Sequence, residues 1–99
     1  MAIDVVWQDE NGAVLARYEG PDVTAKLVDR ADPSSSCLRF IDPYGDTTFN
    51  QRQLPALLSE LDGLEARTQD GQASVILALR EFLRQAVDQV HTYVKFIGD

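Results

Sequence analysis

Asp42 and Asp46 bracket the segment Pro43-Tyr44-Gly45, a spacing at which two carboxylates could share a hard cation or divide acid and base roles. Turn chemistry is the stronger reading. An aspartate opening a type I turn accepts a hydrogen bond from its own backbone, proline and glycine follow it naturally, and nothing nearby supplies the further oxygens a calcium site needs. A catalytic cysteine–histidine pair could come only from Cys37 and His91, the single cysteine and the single histidine. No spacing brings them together. Cys37 reads as a small buried hydrophobe, and His91 as a cation near a helix C-terminus rather than a metal ligand.

The chain lacks a glycine-rich phosphate loop, a His-Glu-x-x-His pair, a nucleophile elbow and a calcium-loop spacing. No catalytic, cofactor-binding or metal-binding residue is therefore assigned, and the expectation is a protein that is not an enzyme and carries no cofactor. An enzyme whose site assembles only in space is the remaining alternative.

Recognition residues are easier to name. Of Trp7, Tyr18, Tyr44 and Tyr93, Tyr44 is the best candidate for a protein-binding surface, because it sits in a turn while Trp7 and Tyr18 have the parity of a buried strand face. Glu60, Asp62, Glu65 and Asp70 form an acidic end to a helix. They read as a solvated face or as a docking site for a basic partner.

Sixteen acidic residues against nine basic ones give a net charge of −7, which repels phosphate backbones and anionic lipid and so argues against nucleic acid and membrane partners. A lone cysteine fits a reducing, cytoplasmic setting. The first residues resemble no secretory signal, and charged residues interrupt every apolar stretch before a membrane span could form. With 44% hydrophobic and 25% charged residues in a chain of 99, the expectation is a single folded domain, residues 1–99.

The elements that must position these residues begin with a β-hairpin, because Ile3, Val5 and Trp7 alternate with polar residues and Val14, Ala16 and Tyr18 do so again after Asn11-Gly12. A two-residue loop places Asp4 opposite Glu19, and a four-residue loop places it opposite Arg17. The second avoids like charges and is preferred. Pro21 opens either a short helix carrying Val23, Lys26 and Leu27 or a strand. Asp32 to Ser36 reads as a polar loop.

Cys37 to Asp42 and Thr47 to Phe49 read as a second hairpin around the Asp42–Asp46 turn. Asn50 then caps a helix, with Gln53 in the capping-box position and Phe49 placed to staple against Leu54. Leu54, Leu57, Leu58, Leu61 and Leu64 form its apolar stripe, and Pro55 should bend its first turn. After a break at Thr68 to Gly71, a second stripe runs through Val75, Ile76, Leu79, Phe82, Leu83, Ala86, Val87 and Val90. Tyr93, Val94 and Ile97 continue it, which predicts helix to Ile97, although such a helix would reach about 40 Å and Thr92–Ile97 is rich in β-branched and aromatic residues.

The fold expected is α+β: two β-hairpins forming a four-stranded antiparallel sheet, with two long C-terminal helices packed on one face. Its core should contain Val5, Trp7, Phe40, Leu58, Leu61, Ile76, Leu79, Phe82 and Leu83. The segments Leu38 to Asn50 and Val90 to Asp99 resemble those of small uncharacterised bacterial proteins. That resemblance implies a bacterial cytosolic protein and brings no activity or ligand. The functional expectation is a small acidic protein-binding module, such as an immunity-like inhibitor of a basic protein, with a homodimeric structural or regulatory protein as the alternative.

Overall fold

Alternation and the leucine stripes produce an antiparallel sheet and two helices, an α+β arrangement. The computed structural model describes residues 3–22, 37–66 and 73–98. Its strands are β1 (Asp4–Asp9), β2 (Val14–Arg17), β3 (Asp46–Asn50) and β4 (Thr92–Ile97), in the order β2-β1-β4-β3. The helices are α1 (Leu54–Ala66) and α2 (Ala73–Arg84), and Leu38–Phe40 forms a 3-10 turn. The helix or strand expected from Pro21, the loop Asp32–Ser36 and Asp70 fall largely or wholly outside the described residues. No helix among the described residues is long and apolar enough to cross a membrane.

One pattern governs the core. Pairing of Val5 with Phe96, Trp7 with Val94 and Phe49 with Val94 puts these side chains on one sheet face. They join a single buried cluster with Leu54, Leu57, Leu61 and Leu64 of α1 and Ile76, Leu79 and Leu83 of α2. Burial of each such leucine, isoleucine or phenylalanine contributes about 1.5–3 kcal/mol. The Phe49 and Phe96 rings meet edge to face at 5.7 Å, and Tyr18 meets Phe82 in the same way at 5.8 Å. Of the expected core, Val5, Leu61, Ile76, Leu79 and Leu83 are fully buried, while Trp7, Leu58 and Phe82 pack against the cluster half-buried.

The first hairpin forms with a register different from the preferred one. Asp9 closes a three-residue loop: its N–H donates to Ala13 O at 2.9 Å, and its carboxylate accepts from the Asn11 and Ala13 amides at 2.9 Å each. Gly12, at φ +85°, supplies the left-handed residue such a loop requires. Val6 pairs with Arg17 and Trp7 with Ala16, but Gln8 pairs with Val14, so Leu15 is an extra residue in a bulge. Asp4 does not face Arg17. The bulge also removes Val14 from the face that Trp7 shares with Ala16, leaving Val14 exposed.

The second hairpin is absent among the described residues. Cys37–Asp42 is not a strand: Phe40 N–H donates to Cys37 O at 3.0 Å and Ile41 N–H to Leu38 O at 3.2 Å, which closes a 3-10 turn. Its buried residues are Cys37, Leu38 and Ile41, a helical-turn spacing that sends Phe40 outward, so Phe40 is not core. The partner of β3 is β4 instead.

β4 corrects the last expectation. α2 ends at Arg84, and its last turn tightens through bonds from Ala86 to Leu83, Val87 to Arg84 and Gln89 to Ala86. Thr92 Oγ1 then donates to Gln89 O at 2.7 Å, and His91 reverses the chain at φ +60°. Thr92, Val94 and Phe96 are buried in alternation with Tyr93, Lys95 and Ile97. The same apolar residues satisfy both a helical stripe and a strand alternation, and their β-branched and aromatic character selects the strand. The helices are thus shorter than expected and lie between strands rather than at the C-terminus.

Candidate protein-binding surface

The turn between the 3-10 segment and β3 presents two large aromatics to solvent. Phe40 is 59% exposed and Tyr44 is 74% exposed. The Arg39 guanidinium lies over the Phe40 ring, 4.6 Å from its centroid, a cation–π contact that aligns the arginine with the ring face.

This turn is held from several directions. Asp42 Oδ1 accepts from Tyr44 N–H at 2.8 Å, the aspartate turn expected from the sequence, and Asp42 N–H donates to Thr47 Oγ1 at 2.9 Å. Thr47 Oγ1 donates in turn to Phe40 O at 3.4 Å, which ties the 3-10 segment to β3. Gly98 N–H donates to Gly45 O at 2.7 Å, joining the turn to the end of β4. A Cβ on Gly98 would lie 2.6 Å from Asp42 O, Gly45 N and Pro43 C, so only glycine lets the two backbones approach this closely. Asp46 pairs with Lys95 Nζ at 3.2 Å. Asp42 and Asp46 are thus engaged in holding the turn.

The acidic group is partly committed inside the fold. Both carboxylate oxygens of Glu60 accept from Cys37 N–H at 3.1 Å, and Oε1 accepts from Leu38 N–H at 2.9 Å. Glu60 therefore caps the 3-10 turn from the side of α1, where a negative charge meets unpaired amides. Arg80 of α2 binds Asp62 and also Glu65, the latter at 3.4 Å, so these two carboxylates link the helices.

Cys37 and His91 form no catalytic pair on this geometry. The Cys37 thiol is buried, and burial followed by the neighbouring Glu60 carboxylate pushes its pKa up, the direction that disfavours a nucleophilic thiolate. His91 instead faces Glu10, with Nδ1 at 3.6 Å from Oε2, and lines an open cleft with Asn50, Gln51, Arg52, Val90, Thr92 and Tyr93. Among the described residues, no three or more His, Cys, Asp or Glu side chains gather to hold a metal ion.

Sequence reasoning picked out Tyr44 but placed Phe40 in the core and passed over Arg39 and Arg52. The signal for Phe40 was the spacing of Cys37, Leu38 and Ile41, which fits one turn of helix better than an alternating strand. Comparison with protein-family models, with curated proteins and with solved structures returned no match, so the functional reading rests on the geometry of the chain itself.

Proposed function

We propose that this chain is a small acidic cytoplasmic protein-binding module, not an enzyme, that engages its partner through Arg39, Phe40 and Tyr44. The exposure of Phe40 and Tyr44 on a turn pinned by hydrogen bonds to β3 and β4 carries the reading. Aromatic and arginine side chains supply much of the energy of protein interfaces, and a rigid turn loses little entropy on binding. The net charge of −7 favours a basic partner, as in an inhibitor that neutralises a basic protein. Because Glu60, Asp62 and Glu65 have internal partners, that attraction comes from the field of the whole chain rather than from a dedicated acidic patch.

The test is capture of the partner from lysate of the source organism at low and high salt, with wild type and a Phe40→Ala/Tyr44→Ala variant side by side. A basic protein retained by wild type, weakened by salt and lost with the variant supports the proposal. Equal retention by both refutes the role of the turn.

A homodimer is the second reading. If the two helices cover one sheet face, as the shared cluster supports, Val14 and Leu15 on the edge strand β2 remain 45% and 48% exposed and offer an edge to a second copy. Light scattering at micromolar concentration separates this reading from a monomer.

A further inference from the structure

The cleft beside His91 has a chemistry of its own. It measures about 400 Å³ and lies where the start of α1 meets the turn before β4. Two side chains that can donate hydrogen bonds to an anion, Arg52 and His91, line it from different parts of the chain, together with the half-buried Tyr93 and with Val90, which is 64% exposed. Carboxylates outnumber cations sixteen to nine in this chain, yet Arg52 has no carboxylate partner among the described residues. Arg80 and Lys95, by contrast, are both paired.

The walls are fixed by bonds that do not engage the Arg52 side chain. Asn50 Oδ1 accepts from Gln53 N–H at 3.0 Å, Gln53 Oε1 accepts from Asn50 N–H at 2.8 Å, and Gln51 Nε2 donates to Val87 O at 2.8 Å. One group opposes an anion: Glu10, whose carboxylate already sits 3.6 Å from His91.

We propose that this cleft binds a small organic acid, its carboxylate held by Arg52 and His91 and its apolar portion lying against Val90 and Tyr93. Guanidinium and carboxylate match in geometry, and an exposed valine beside a phenol offers apolar contact that a bare inorganic anion cannot use. Ligand binding and Glu10 compete for His91.

Benzoate, acetate, inorganic phosphate and benzylamine, titrated into the full chain while backbone amide chemical shifts are followed, test this. Benzoate should shift the amides of Gln51, Arg52 and Val90 to Tyr93 and saturate in the millimolar range. Acetate should shift the same amides with affinity about tenfold lower, and benzylamine should leave them unmoved. Arg52→Gln should weaken benzoate about tenfold, whereas Glu10→Gln should strengthen it by freeing His91. Val90→Ser should weaken benzoate without changing acetate. Amides remote from the cleft report in the same spectra that each variant is folded. Non-saturating or scattered shifts, an Arg52→Gln variant that binds as wild type, or a Glu10→Gln variant that binds more weakly would each overturn the proposal. Phosphate binding as tightly as benzoate would overturn the organic character of the ligand, and acetate binding as tightly would overturn the apolar contact with Val90 and Tyr93.

Discussion

Replacing Glu60 by alanine removes the acceptor for two backbone amides, those of Cys37 and Leu38, which it binds at 2.9–3.1 Å. Hydrogen bonds to a charged group are worth about 1.5–3 kcal/mol each, so two give roughly 3–6 kcal/mol if water cannot replace the carboxylate. Glu60 is only partly buried, and water can reach some of the vacated space. We halve the figure and expect a loss of about 1.5–3 kcal/mol, a large share of the ~5–15 kcal/mol typical of a small domain. With a urea slope of about 1.5 kcal/mol per M, within the usual range for a small protein, the unfolding midpoint should fall by about 1–2 M at unchanged slope.

Glu65→Ala is the internal control, since it sits on the same helix and loses only a 3.4 Å contact to Arg80. It should cost less than about 1 kcal/mol. A second readout follows the thiol. Loss of the cap loosens the turn that buries Cys37, so alkylation of the native protein should accelerate in Glu60→Ala. A Glu60→Ala variant within about 0.5 kcal/mol of wild type, with unchanged alkylation, would show that the carboxylate does not hold the turn. If that variant instead lost partner binding at full stability, Glu60 would belong to the docking surface that the sequence suggests.

Asn50→Ala breaks the reciprocal pair with Gln53 at the start of α1 and should cost about 1 kcal/mol by thermal or urea unfolding. Gly98→Ala drives a methyl into the backbone of the Asp42–Gly45 turn and should cost more than about 2 kcal/mol, with shifts in the amides of that turn. Stability should also fall at alkaline pH. The Cys37 thiol is raised from an ordinary value of 9.0 by burial and then by Glu60, so the fold favours its neutral form. That contribution is whole below the ordinary value and is lost as pH rises through the raised one. Tyr18, raised from 10.0 by burial and then by Asp22, adds a second loss at higher pH, and melting temperatures across the alkaline range for wild type and Cys37→Ala separate the two.

Much of the helical layer is legible in the sequence because its signals are local. Asn50 and Gln53 form their capping box from adjacent residues, and the leucines of α1 repeat at helical spacing whatever they pack against. The strands are less legible because their pairing is decided far along the chain. Nothing local says that β3 pairs with β4 rather than with Cys37–Asp42, since an apolar run can become a strand or a turn depending on which edge is free. The first hairpin shows the same limit on a smaller scale. Charge pairing chose between loops of two and four residues, whereas Asp9 and Gly12 close one of three and a bulge at Leu15 restores the parity.

The candidate surface follows from that rearrangement. With β4 beside β3, the residues Leu38–Phe40 form a 3-10 turn rather than a strand of the sheet. A 3-10 turn buries Cys37, Leu38 and Ile41 and must turn the intervening Arg39 and Phe40 toward solvent. Phe40 is therefore exposed by the geometry of the turn rather than by any polarity of its own sequence. A large apolar ring left mostly in water forgoes part of the about 1.5–3 kcal/mol that full burial contributes, and here it precedes a turn that carries the exposed Tyr44 and is tied to both β3 and β4. That unspent burial is available to a partner, which is why the two aromatics, and not the carboxylates engaged by Arg80 and the Cys37 and Leu38 amides, carry the proposed interface.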